Sequence, residues 1–206
     1  MTRPIPFELL IATGNAGKTA EIRALLGDLP ITFRTLTDFP EIEPVEESGA
    51  TYEENAVLKA RAYAQQTGLW ALADDSGFEV AALDGAPGVI SARYAGAGAS
   101  DSERIAFLLR QLDLANSSDR GARFVCVTAL SDLSNSIANV EHGICEGLII
   151  SKPRGENGFG YDPIFVPKGF DKTLAELPTN IKNVISHRAR ALHSMRSFLE
   201  RLVDNE

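Results

Sequence analysis

With 206 residues, a net charge of −8 and two cysteines, the chain is long enough for one domain that buries roughly 70% of its unfolded surface without staples. The acidic balance excludes a general nucleic-acid binder, which shows a basic excess or stripe. No run approaches the ~18 apolar residues of a membrane span and the N-terminus has no secretory pattern, so a cytoplasmic protein without nucleic-acid or membrane partners is expected. Cys126 and Cys145 sit in apolar runs and read as small core residues, in keeping with a reducing compartment.

The first element is the apolar run from Leu9 to Ala12, continuous as in a strand buried on both faces. It breaks at Thr13-Gly14-Asn15, small residues that tolerate tight backbone, and resumes at helical spacing through Glu21-Ile22 and Leu25-Leu26. Strand, glycine-containing loop and helix predict an anion site at the helix entrance, with Lys18 as a point charge. Gly17-Lys18-Thr19 fit the end of the Walker loop, but Ala12 stands where its first glycine belongs, so the phosphate site is of another design.

Ile31 to Leu36 alternates as a second strand. An irregular acidic loop, Asp38 to Gly49, then delivers Glu46-Glu47 to a helix that Thr51 and Glu54 open as a capping box. The helix runs from Glu53 to about Gln66, and Tyr52, Asn55 and Lys59 share a face. Trp70 to Ala73 reads as a short buried strand ending in Asp74-Asp75-Ser76-Gly77. Paired carboxylates at a strand's carboxyl end enter the ligand crevice of an α/β sheet and suit Mg²⁺; the same four residues are also good turn chemistry. An acidic protein that holds a triphosphate needs such a cation.

Phe78 to Gly98 is a long Gly/Pro/Ala-rich loop. Ser100-Asp101-Ser102-Glu103 caps a further helix to Leu112, and Arg123 to Leu130, Ile137 to His142 and Ile144 to Ile150 read as strands of an antiparallel meander. Gly158-Phe159-Gly160-Tyr161-Asp162 combines backbone freedom with an aromatic face for a base. Lys182 precedes a last helix, which has His187 and Arg188 at its start, where positive charge opposes the macrodipole.

In this order, Thr13-Gly14-Asn15-Ala16-Gly17-Lys18, Glu46-Glu47-Ser48-Gly49, Glu54-Asn55-Ala56 with Lys59, Asp74-Asp75-Ser76-Gly77, Gly85-Ala86-Pro87-Gly88 with Ser91-Ala92-Arg93-Tyr94, Gly158 to Pro163 and Ser186-His187-Arg188 resemble the non-canonical purine nucleoside triphosphate pyrophosphatases of bacterial type. The resemblance spans nearly the whole chain. It implies an α/β fold over 1–206 with two lobes, a long central mixed sheet and a cleft between the lobes. It implies a homodimer and Mg²⁺-dependent release of pyrophosphate from inosine and xanthosine triphosphates, ribo or deoxy. On this resemblance Thr13, Gly14, Asn15, Ala16, Gly17 and Lys18 hold the triphosphate with Lys59, Lys182 and Ser76. Glu46 and Asp75 carry the metal, with Glu47 or Asp74 assisting; Asp75, Asp74 and Lys18 are the catalytic set. Phe159 stacks on the base, Asp162, His187 and Arg188 read its edge, and Gly160 and Tyr161 shape its pocket. A related pyrophosphatase of modified pyrimidine nucleotides fits less well at Phe159 to Asp162 and Ser186 to Arg188. Paired carboxylates argue against a non-catalytic nucleotide sensor.

Overall fold

The computed structural model describes residues 7–204. In it, β1 (Phe7–Ile11) lies parallel to both β2 (Ile31–Thr35) and β3 (Trp70–Val80). The sheet continues through β5 (Gly121–Ser131), β6 (Ile137–Ile149) and β7 (Phe165–Pro167) in the order β2-β1-β3-β5-β6-β7. The short β4 (Pro87–Gly88) adds antiparallel to β3, and β6 and β7 are antiparallel, so the sheet is mixed. Helices α1 (Ala16–Leu26), α2 (Tyr52–Thr67), α3 (Asp101–Leu114), α4 (Thr179–Ile185) and α5 (His187–Asp204) complete an α/β fold.

The chain divides into two compact units, one made of residues up to Asp75, Val127–His142 and those from Ala189 on, the other of Ser76–Cys126 and Gly143–Arg188. In the first unit, successive residues of β1 serve opposite cores, as strand geometry demands. Leu9 and Ile11 pack with Ile22, Leu26, Leu192, Met195 and Leu199 of α1 and α5. Leu10 and Ala12 pack with Ala56, Ala60 and Ala64 of α2 and with Ala71 and Ala73 of β3. Small residues on both partners let backbones approach closely, at the sacrifice of the larger burial energy that leucines give. That closeness brings Asn55 and Lys59, on the adjacent stripe of α2, against the strand. Thr51 caps α2 and Glu54 closes the capping box, worth about 1 kcal/mol.

The second unit has one large core, in which Ile105, Leu108 and Leu112 of α3 meet Phe78, Phe124, Tyr161 and Phe165. Phe78 stacks on Tyr161 at 5.1 Å and meets Phe165 edge-on at 5.6 Å. Both cysteines are buried and form no disulfide, as their apolar surroundings predict.

Three local readings change. The strand expected to stop at Ala73 runs on to Val80, so Asp74, Asp75 and Ser76 lie inside β3 and not in a turn. Phe78 and Val80, both 0% exposed, continue the buried ladder and override the turn preference of Asp-Asp-Ser-Gly. The two strands expected either side of Gly143 are one, β6. A strand glycine costs only ~0.5–1 kcal/mol, too little to break a ladder whose Cys145 and Ile149 face a core. The short α4 carries no periodic signal in the sequence and was not expected.

Candidate functional site

The paired carboxylates of β3 form the centre of a charge network within the first unit. Asp74 and Asp75 are 1% and 4% exposed. Asn55 Nδ2 donates to Asp75 Oδ2 at 3.1 Å, while Asn55 Oδ1 accepts from the Gly49 amide at 2.8 Å. Asn55 thereby ties the acidic loop to the strand. A Cβ at Gly49 would stand 2.7 Å from Asn55 Oδ1 and from Glu54 Cβ, so only glycine permits this approach. Lys59 Nζ donates to Glu47 Oε1 at 2.6 Å, to the Asp74 carbonyl at 2.7 Å and to Asp75 Oδ1 at 3.5 Å. Lys18 Nζ pairs with Asp74 Oδ2 at 3.1 Å.

Burial pushes the Asp75 carboxyl above its usual range and the nearby Glu47 adds to this, outweighing Lys59, Lys18 and the Asn55 hydrogen bond. Burial works against the Lys59 ammonium, but Asp74, Asp75 and Glu47 outweigh it and raise its pKa. The lysine thus stays charged, and Asp75 is a stronger proton acceptor than a solvated aspartate.

The loop before α1 is built by its own side chains. Asn15 caps the helix by accepting from the Lys18 amide at 3.0 Å, and Thr13 Oγ1 accepts from the Asn15 amide at 3.2 Å. Gly14, Asn15 and Ala16 are exposed, and Gly17 is half-buried. The first-turn N–H groups of α1 have no carbonyl four residues back in the helix, which suits an anion.

A second constellation lies within the second unit. Lys182 Nζ pairs with Asp162 Oδ2 at 2.5 Å, both groups buried, and Asp162 Oδ2 also accepts from the Phe159 amide at 3.0 Å. Lys182 Nζ lies 5.1 Å and Arg188 Cζ 5.6 Å from the centre of the Phe159 ring. Arg188, 1% exposed, donates from Nη2 to Ser76 Oγ at 3.0 Å. The His187 ring stacks on Phe124 at 4.7 Å. Gly158 has φ +76°, and a Cβ there would stand 2.0 Å from Asp162 Oδ2.

These contacts sort the expected residues. The structure brings Lys18, Asp74, Asp75 and Lys59 together, with Lys59 engaged by the Glu47 and Asp75 carboxylates. Of the two loop acids, Glu47 reaches the network and Glu46 is exposed. Lys182 and Ser76, expected near the phosphates, contact Asp162 and Arg188 respectively. Tyr161 is a core residue, 4% exposed, whose hydroxyl donates to the Ser91 carbonyl at 3.0 Å. Burial pushes that phenol well up, so it keeps its proton. Sequence reasoning gave Asn55 no role beyond its helix face and missed Asp101, whose Oδ2 accepts from the Gly160 amide at 2.7 Å. Asp101 reads only as a helix-capping residue; nothing in the sequence relates it to a glycine 59 positions away.

Concavity is a poor guide here. A groove of about 790 Å³ within the second unit is lined by Arg123, Leu148, Val166 and Phe170 among others, and by none of the expected site residues. Among the described residues no three His, Cys, Asp or Glu side chains are placed to enclose a metal, and no helix is long and apolar enough to cross a membrane.

Set beside known proteins, residues 9–198 match the model of the Ham1 family. The chain is 50% identical over 193 residues to a dITP/XTP pyrophosphatase of Coxiella burnetii, covering 93% of this chain and 96% of the relative. Among solved structures, a HAM1 protein from Coxiella burnetii superposes with a TM-score of 0.87 at 48% identity, over 95% of this chain and 99% of that one. The Staphylococcus aureus Ham1 protein gives 0.83 at 42%, over the same shares.

Proposed function

Because the chain belongs to the Ham1 family, we propose that it hydrolyses non-canonical purine nucleoside triphosphates (inosine, deoxyinosine and xanthosine triphosphates) to the monophosphate and pyrophosphate, clearing deaminated purines from the nucleotide pool. One observation carries the chemistry: Asp75, 4% exposed, is held by Asn55 and Lys59, and burial raises its proton affinity. A water oriented by Asp75 attacks the α-phosphorus and gives its proton to that carboxylate. The bond from the α-phosphorus to the oxygen bridging to the β-phosphorus breaks, and pyrophosphate leaves. Lys18 and the first turn of α1 neutralise charge on the departing phosphates. Asp74 holds Lys18 in place.

The donor set fits Mg²⁺, which takes one or two protein carboxylates and completes its shell with waters and substrate phosphates. Asp75 and Glu47, which share Lys59, are the pair that would hold it. Glu47 replaces Glu46 in this role because it is the acid that reaches the network. When bound, the ion supplies charge neutralisation for phosphoryl transfer. Among these five side chains, three carboxylates against two lysines leave one negative charge in excess, which favours an added cation.

The second constellation serves the base. Phe159 offers the stacking face, and Asp162, Arg188 and His187 the polar edge. Arg188 only donates, so it satisfies a 6-oxo group and not a 6-amino group. We further propose that the whole chain acts as one catalytic domain, as a homodimer and in the cytoplasm. The test is pyrophosphate release with Mg²⁺ from inosine, xanthosine, guanosine, adenosine and thymidine triphosphates side by side. Fast release from the inosine and xanthosine substrates alone is expected; release mainly from thymidine triphosphate, or none from any, overturns the reading.

A further inference from the structure

Two carboxylates from different elements of the second unit close on adjacent amides of one loop. Asp162 Oδ2 accepts from the Phe159 amide at 3.0 Å, and Asp101 Oδ2 accepts from the Gly160 amide at 2.7 Å. The loop needs such fixing. Gly160 stands at φ +63° with nothing within 4 Å of where a Cβ would be, so backbone conformation and not space requires glycine there. Asp101 is itself held. It forms an ion pair with Arg104, whose other arm donates to the carbonyls of Ala92 at 3.0 Å and Ala99 at 2.5 Å. The capping box of α3 belongs to Ser100 and Glu103, which leaves the Asp101 carboxylate for work outside the helix.

We propose that Asp101, braced by Arg104, is a positioning residue for purine binding: it fixes the Phe159–Gly160 peptide and with it the plane of the Phe159 ring. This rests on the reading of Phe159 as the platform for the base. Asp101 touches no reacting atom, so it acts on binding of the base and leaves the phosphate chemistry alone.

The test compares the KM for inosine triphosphate with inhibition by inorganic tripolyphosphate, which has no base. Asp101→Ala raises that KM by ~10-fold or more, the size of a lost charge-assisted hydrogen bond, with kcat within ~3-fold of the parent and tripolyphosphate inhibition unchanged. Asp101→Asn keeps an oxygen for the Gly160 amide and recovers the KM to within ~3-fold. Glu103→Ala removes the capping box, lowers thermal stability and leaves the KM alone. Should the alanine variant not fold, Arg104→Gln removes the brace and gives a smaller KM rise of the same kind. Equal losses for nucleotide and tripolyphosphate, an asparagine variant no better than alanine, or the same KM rise in Glu103→Ala would each overturn the proposal. Phe159→Ala separates the two readings. If it opens a gap between nucleotide and tripolyphosphate and Asp101→Ala does not, the positioning role fails. If it opens none, the base platform itself is wrong.

Discussion

The two constellations use the same kinds of side chain in opposite proportions. In the first unit three carboxylates, Asp74, Asp75 and Glu47, face two lysines, Lys18 and Lys59. In the second, one carboxylate, Asp162, stands with Lys182 and Arg188 around the Phe159 ring. An acid excess calls for an added cation before phosphates can approach. A cation excess beside an aromatic face suits an electron-rich, oxo-bearing base. On the proposed reading the difference assigns chemistry and selectivity to separate networks, so substitutions in one should leave the other's readout intact.

The largest expected effect tests the first network. Asp75→Asn should lower turnover by roughly 10³-fold or more while nucleotide binding stays measurable. It should also leave thermal stability level or improved. The sign follows from the raised pKa: the fold disfavours the ionised carboxyl, so at neutral pH the charge is a load that a neutral amide removes. Near-normal pyrophosphate release would remove Asp75 from its role, and a fall of many degrees in Tm would show that its charge holds the unit together.

Next in size is a break in the second network. Gly158→Ala places a Cβ 2.0 Å from Asp162 Oδ2 and 2.9 Å from Lys182 Nζ, at a φ of +76° that alanine adopts poorly. The pair must move, and the Phe159 amide with it. KM for inosine triphosphate should rise by ~10-fold or more, with kcat less affected. A kcat loss matching that of Asp75→Asn would mean that the two networks are not separable.

Arg188→Ala should cost less and show in selectivity. On the proposed reading Arg188 donates to the 6-oxo group, and a lost buried donor is worth ~1–3 kcal/mol, so preference for inosine over adenosine triphosphate should erode by roughly 10-fold. Side-by-side kcat/KM values decide it, and an unchanged ratio would move the base edge away from Arg188.

The sequence revealed these regions unevenly, for physical reasons. β1, α2, α3 and the start of α5 are legible because burial and capping are local: a continuous apolar run, Thr51 with Glu54, Ser100 with Glu103. The extension of β3 through Asp74 and Asp75 was not, because partners distant in the chain decide whether a turn-forming tetrapeptide turns. The same holds inside the site. Lysines and acids announce themselves as residue types, but which acid a lysine takes depends on the close approach of α2 that its alanines allow. Lys59 with Glu47, Lys182 with Asp162 and Asp101 with Gly160 are all contacts across long stretches of chain.

The smallest effect is a change in titration without turnover, and it decides between two neighbouring acids. In metal-free protein, the carboxyl resonance of Asp75 followed by carbon NMR should titrate above the ordinary aspartate range, because burial and Glu47 disfavour its charge. Glu47→Gln removes one of those causes and should bring the value down. Lys59→Met removes a favourable cation and should take it further up. Glu46 is exposed, where water screens its charge, so Glu46→Gln should leave the curve where it was. Adding Mg²⁺ should then lower the Asp75 value in the parent and in Glu46→Gln, since a bound cation favours the ionised carboxylate. The drop should shrink in Glu47→Gln, which retains only one of the two proposed metal carboxylates. The reverse pattern, with Glu46→Gln losing the Mg²⁺ response and Glu47→Gln keeping it, would return the metal to the exposed acid and leave Glu47 as a partner of Lys59 alone.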